Sequence, residues 1–413
     1  MTSLHKACER GDLDFVRDFL SRPGADVNAR DEQEGLTPLL AATEHLPIVQ
    51  FLCGQGADTM ATDDFNRTVL HIATYGGHML VIEWLFEGRT PHRDDDDDDD
   101  VGGDDSSNNK LPATRGNIWA ECVDKANETA LHYAAYRGNL QLTKYLVEVG
   151  QMDILARNRL NKTALHLARQ AEELPLVSYL QSLVELWNAC LAKDCNKMKR
   201  LLQAGVFTKF RLTMDGYHLT LTICHLGDVE GARIFHEYDN EVDWNMPSRS
   251  GMTPLHCAAL NGHEQLVRWL CERGAIVNPP RSMERFPLLS SIDSGNVDIA
   301  KVLFEFGADA NNRGGSRWSP IFWACRVGCT PMVHLLLDNG ARMERENSGW
   351  LPLHAACIDG HLDAIQVVLA RNGEKPLDPS DWILAVQLAS NAGHFHILRF
   401  FLLPRIVAMV GKE

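Results

Sequence analysis

The stretch Gly251-Met252-Thr253-Pro254-Leu255-His256-Cys257-Ala258-Ala259-Leu260-Asn261-Gly262-His263 decides how the rest of the chain is read. Thr253 is an N-cap, its hydroxyl placed to accept from the free amides of a starting helix. Pro254 takes the first helical position, where a missing N–H costs nothing and the fixed φ helps. Leu255, Ala258 and Ala259 form a narrow apolar stripe against which another helix can pack closely. Gly262 ends this short helix in the left-handed conformation. Glu264 to Cys271 then starts a second amphipathic helix, which closes on Gly274-Ala275.

The unit recurs. Pro254, Pro287, Pro320 and Pro352 are spaced by 33, 33 and 32 residues, and each leads to a glycine: Gly262, Gly295, Gly328 and Gly360. The N-terminal part repeats it in Leu4-His5-Lys6-Ala7, Thr37-Pro38-Leu39-Leu40, Thr68-Val69-Leu70-His71, Thr129-Ala130-Leu131-His132 and Thr163-Ala164-Leu165-His166. Second helices there close on Gly24-Ala25-Asp26-Val27-Asn28 and Gly56-Ala57-Asp58. The T-P-L-H-x-A signature, the internal glycine and the G-A-D-V-N close resemble the ankyrin repeat family, over nearly the whole chain. The resemblance implies an all-α solenoid of about twelve helix–turn–helix units, each with a β-hairpin-type finger.

The departures set the expected organisation. Repeats one to three occupy 1–87. Residues 88–119 hold Asp94 to Asp100 and Gly102 to Asn109, an acidic insert with nothing to build a core, read as disordered. Repeats four and five fill 120–181. Residues 182–245 hold two degenerate repeats, the first keeping mainly its second helix and the second placing His218 where a capping Thr belongs. This stretch is the expected junction between two stacks. Repeats eight to twelve run over 246–403. The tail, 404–413, is expected to fold over the apolar end formed by Ile397, Leu398, Phe400, Phe401 and Leu402.

Composition narrows the function. A net charge of −15 with no Lys/Arg cluster excludes a nucleic-acid-binding surface. Eleven scattered cysteines without a C-x-x-C read as reduced thiols of a cytoplasmic or nuclear protein. No signal peptide opens the chain, and Ile397 to Val410 is too short and too interrupted by Arg399, Pro404 and Arg405 to span a bilayer. His71, His132, His166, His256 and His354 fall in one slot, one per unit. The resemblance assigns them to hydrogen bonds that tie repeat to repeat, not to a metal, which needs converging ligands. Cys325 takes the slot of Ala259, a packing position, and no third member joins it or Cys329 and His334 as a nucleophilic set. No phosphate-binding or nucleophile-elbow motif is present. No cofactor, metal or catalytic residue is assigned.

The positions that the repeat leaves free carry the functional expectation. The resemblance places the residue before the Thr-Pro slot at the finger tip, facing a concave groove. In order these are Leu36, Arg67, Glu128, Lys162, Met252, Arg285, Trp318 and Trp350. The last four, with Leu260, Arg326 and Ile358 near the ends of the short helices, are residue types enriched at interface hot spots. The expected activity is protein–protein recognition by a monomeric, non-catalytic scaffold or adaptor, chiefly through repeats eight to eleven. The alternatives are a substrate-recognition subunit of a ubiquitin ligase, on the faint box Leu402-Leu403-Pro404-Arg405-Ile406, an inhibitor that occludes an enzyme, or a fragment of a fused enzyme. Trp318 and Trp350 could instead clasp each other. Trp84 and Trp269 share a slot within the second helix and are assigned to the core.

Overall fold

The Thr–His spacing dictates the local geometry on which the array is built. In the computed structural model, Thr253 and His256 form a reciprocal capping box, with the Thr253 N–H donating to His256 Nδ1 at 3.2 Å. Thr68 with His71, Thr129 with His132 and Thr163 with His166 do the same. Residues 3–87, 119, 122–206, 213–214, 217–238, 242–248, 251–279, 286–314, 318–346, 348–371 and 377–410 are described, the side chains at 87, 213, 214, 217 and 403–410 excepted. Residues 88–118 of the acidic insert and Arg285 lie outside them, whereas Trp119, the last residue of the expected insert, is buried.

The chain divides into two compact units, Met1–Leu219 and Thr220–Glu413. In the first, helices pair as Ser3–Arg10 with Leu13–Leu20, Pro38–Ala41 with Leu46–Gly54, Val69–Gly76 with Met79–Glu87, and Ala130–Tyr136 with Leu140–Glu148. Ala164–Gln170, Leu174–Leu191 and Cys195–Gln203 follow, then an antiparallel hairpin pairing Thr213 with His218 and Met214 with Tyr217. In the second unit Val229–Tyr238 precedes five pairs: Pro254–Leu260 with Glu264–Glu272, Pro287–Asp293 with Val297–Glu305, Pro320–Val327 with Thr330–Asp338, Pro352–Asp359 with Leu362–Arg371, and Pro379–Asn391 with Phe395–Val410. Helix Leu219–Leu226 begins at the division.

Short helices pack on the short helices of the next repeat, and the stripes that the spacing predicts are the core. Leu255, Ala258 and Ala259 are at most 1% exposed, as are Leu266, Val267 and Leu270 opposite them. A buried Leu or Val side chain contributes about 1.5–3 kcal/mol.

Two polar ladders join neighbouring repeats. The asparagine of the repeat's close bridges to the next close. Asn278 donates to Gly307 O at 2.8 Å and accepts from the Asp309 N–H at 2.9 Å, and Asn311 does likewise with Gly340 and Arg342. Asn28 and Asn245 hold the equivalent places. The histidines form the second ladder. His71 Nε2 reaches Glu128 O, His132 reaches Lys162 O, His5 reaches Leu36 O and His354 reaches Asp381 O, all at 2.8–3.1 Å. Because Nδ1 accepts from its own cap in these capping boxes, Nε2 carries the proton and donates.

Repeat ten solves the same problem with other atoms. Phe322 stands in its histidine slot and cannot donate. Glu346, in the place of the turn-capping Asp63 and Asp124, is one methylene longer and reaches back to the Ser319 amide at 3.2 Å and its hydroxyl. Arg313 pairs with its other oxygen at 2.7 Å. In repeat eleven Leu351 replaces the threonine, so only half of the box remains, the Leu351 N–H donating to His354 Nδ1 at 3.0 Å.

Three expectations are corrected. Repeat six keeps both helices and loses its finger instead. Lys193, with φ 53°, stands where Gly262 does, which puts the cap position at Val184, only 21 residues after Thr163. Helix Leu174–Leu191 runs unbroken through it, because no Gly, Pro or Asn interrupts residues 176–187. Residues 402–410 do not fold back, since the terminal helix continues through Pro404 to Val410. Trp84 is half-buried, whereas Trp269 is core, edge-on to Trp244 at 5.0 Å.

Candidate protein-binding wall

The short helices of repeats eight to eleven stack side by side, so equivalent positions line up across them. One such row is Leu260, Asp293, Arg326 and Ile358. Leu260 and Ile358 are half-buried and Arg326 is exposed. The Arg326 guanidinium lies 5.3 Å from the centre of the Trp323 ring and pairs with Asp359 of the next repeat at 3.3 Å. Trp323 in turn donates its indole N–H to Asp293 of the preceding repeat. Three repeats are thereby joined by one indole and one guanidinium.

The finger row behaves differently. Met252, Trp318 and Trp350 are each half-buried. Trp318 lies flat on Phe322, ring centres 4.4 Å apart and planes within 6°. The aromatic residue that displaced a ladder histidine thus becomes the platform for an indole. Trp350 closes its own finger, its carbonyl accepting from the Glu346 N–H at 2.8 Å. Arg285, the fourth residue of this row, is outside the described residues.

Two members of this surface escaped the sequence reading. Trp323 and Asp293 were both legible: Trp323 occupies the slot of Cys257, and Asp293 the slot of Leu260 and Arg326. An acid such as Asp293 lacks the apolar or basic character that marks the rest of the helix row, and Trp323 lies one turn away from the finger row on the outward side of the short helix.

Cys8, Cys224, Cys257, Cys271, Cys325, Cys329 and Cys357 are free thiols, and all of these but Cys329 are buried. Burial pushes Cys325 and Cys357 up to about 12 and Cys257 up to about 11, where thiolate is negligible at neutral pH. Among the described residues, no three His, Cys, Asp or Glu side chains converge as metal ligands would. Nor is any helix among them long and apolar enough to cross a membrane.

Stacked helical hairpins with bridged fingers define a solenoid repeat protein. A family model described as "Ankyrin repeats (3 copies)" matches residues 4–95, 108–185, 186–314 and 288–380. The chain belongs to the ankyrin repeat family. It is 31% identical over 127 residues to human transient receptor potential cation channel subfamily A member 1, covering 30% of this chain and 11% of that protein. It is 26% identical over 265 residues to the Candida albicans glycerophosphocholine phosphodiesterase GDE1, covering 64% of this chain and 19% of that one. It is 28% identical over 160 residues to the Neurospora crassa ankyrin repeat protein nuc-2, covering 38% and 15%. The chain therefore spans less than a fifth of each of these relatives. Ankyrin repeats make protein–protein recognition the general role of the chain.

Proposed function

We propose that this chain is a non-catalytic scaffold or adaptor that holds a segment of a partner protein on the wall of repeats eight to eleven. The observation that carries this reading is the run of half-buried indoles, Trp318, Trp323 and Trp350, interleaved with exposed Arg326 on successive repeats. Tryptophan and arginine dominate binding hot spots because they offer large area with a polar handle. Met252, Leu260 and Ile358 extend the wall at either end, and Arg285 joins it by its place in the sequence. Arg326 and Asp359 are both partly open to solvent, so the partner is engaged by a charge pair as well as by apolar contact. Buried thiols such as Cys257, Cys325 and Cys357 suit a reducing compartment, the cytoplasm or nucleus.

The test is quantitative affinity purification with wild type and with the Trp318→Ala/Trp350→Ala double variant. At least a tenfold loss of recovered partner is expected. Equal recovery by a variant with a native circular dichroism spectrum removes the reading.

A further inference from the structure

The finger missing from repeat six leaves a clamp open on repeat five. In repeats three and four, three groups grip the incoming finger. Phe65 O accepts from the Lys125 N–H, Asn66 Nδ2 donates to Val123 O, and His71 Nε2 donates to Glu128 O. One repeat on, Ala126 O accepts from the Arg159 N–H at 2.8 Å, Asn127 Nδ2 donates to Arg157 O at 2.6 Å, and His132 donates to Lys162 O at 3.1 Å. The gripped segment has the same form each time: a carbonyl at its first residue, an N–H at its third, a carbonyl at its sixth.

Repeat five carries the clamp intact. Leu160, Asn161 and His166 hold the three positions, and Asn161 keeps the left-handed φ of 60° that Asn66 and Asn127 have. His166 Nδ1 accepts from the Thr163 N–H at 3.3 Å, so its Nε2 proton is aimed as in the other repeats. The fused helix Leu174–Leu191 brings no finger to meet them. Leu160 is 73% exposed, and Asn161 and His166 are exposed, whereas His71 and His132 are at most 1% exposed.

We propose that this edge binds an extended, turn-forming segment of a partner protein, which takes the place of the missing finger. The two gripped fingers, Val123–Glu128 and Arg157–Lys162, share Asp or Asn at the second residue and Asn at the fifth. The second side chain holds the turn, as Asp124 accepts from Ala126 and Glu128 N–H. Charge selects Asp there. Glu128 receives the second residue of its incoming finger, Asn158, at 2.9 Å; the residue in Glu128's place on repeat five is Lys162. Exposed Arg159 and Arg169 add to the positive edge. A cleft of about 350 Å³ lined by Tyr136, Arg137, Gln170 and Ala171 lies beside Lys162, whose Nζ donates to Gln170. The recognised pattern is x-Asp-x-x-Asn-x, or with Gly in the left-handed place, bound by strand-like addition.

The probe is a fluorophore-labelled synthetic peptide copying Val123–Ala130, titrated into the full chain by anisotropy. Saturable binding is expected, at least tenfold weaker for Asn161→Ala/His166→Ala and for Lys162→Glu, and weakened by salt. A peptide with Asp124→Lys is expected to lose binding. Asn161 and His166 are exposed and Lys162 is half-buried, and loss of the His166 cap costs only about 1 kcal/mol, so circular dichroism is expected to stay native. Absence of saturation up to about 1 mM, or equal binding by wild type and double variant, overturns the proposal. Residues Asp104–Asn109 of this chain also fit the pattern. A tenfold gain in peptide affinity on deleting 94–109 would make that segment the occupant and overturn the assignment to a partner. Loss of the double tryptophan phenotype on the wall of repeats eight to eleven would leave this result untouched.

Discussion

The imidazole of His394 lies on Gly360: a Cβ at Gly360 would fall 2.7 Å from His394 Cε1, while His394 Nε2 donates to Ile358 O at 3.0 Å. The glycine that ends a short helix is thus also the floor on which the next repeat sets its histidine. His361 lies on Gly328 and His263 on Gly227 in the same way.

This separates two costs that a glycine substitution usually confounds. Gly307, with φ 82°, has nothing within 4 Å of an added Cβ, whereas Gly360, with φ 90°, has the ring. Gly307→Ala is expected to lose about 1–2 kcal/mol from left-handed strain. Gly360→Ala adds overpacking, about 1–3 kcal/mol more. Urea unfolding of the two variants checks the difference; equal losses would show that the histidine simply moves aside.

Glu346 holds repeats ten and eleven together through Ser319 and Arg313 and is 3% exposed. Glu346→Ala would leave the Ser319 amide and the Arg313 charge without their partner, with an expected loss of about 3–5 kcal/mol. Glu346→Gln keeps an acceptor for Ser319 and is expected to lose less. Denaturant midpoints for the pair test this, and an Ala variant as stable as Gln would contradict it.

Burial lowers the pKa values of His71, His132 and His354 below their usual 6.5. They fold neutral, so below pH 6.5 the unfolded chain binds more protons than the folded one. Stability is therefore expected to be level above pH 6.5 and to fall as pH drops from 6.5 towards the folded values. The limit is about 1.4 kcal/mol per pH unit for each histidine. Chemical denaturation between pH 8 and 5 measures the slope, and His132→Gln should reduce it. Stability rising over that window would refute the assignment.

Thiol counting offers a direct check on the core. Cys53, Cys122, Cys195 and Cys329 are half-buried and the other seven buried. A thiol reagent at pH 8 is expected to label no more than four cysteines rapidly in native protein and all eleven in denaturant. Rapid labelling of Cys325 or Cys357, identified by mass spectrometry, would contradict the packing described.

The repeat frame was legible because Thr253, Pro254, His256 and Gly262 each have a local physical task and so recur. Deletions were harder to see. The loss of a finger between Thr163 and Val184 shows in sequence only as a missing Gly-Ala-Asp, and that is read as easily as a lost helix. Compensation was harder still. Glu346 for Asp changes which repeat is gripped, and nothing in its own repeat says that Ser319 needs it. On the wall, Trp323 and Asp293 belong to the short helix, where the apolar stripe drew attention to the opposite face.

The ladder histidines also show how lightly the acidic insert weighs on the fold. His132 and its acceptor Lys162 are 30 residues apart, and His71 and Glu128, which make the same bond across the insert, are 57 apart. Loop-closure entropy grows only with the logarithm of chain separation, so this near-doubling costs about 0.6 kcal/mol. A solenoid held by neighbour-to-neighbour bonds can lengthen one connection at the price of less than a single hydrogen bond. A connection such as the one that holds Asp94–Asp100 can therefore vary in length at little cost to the repeats on either side.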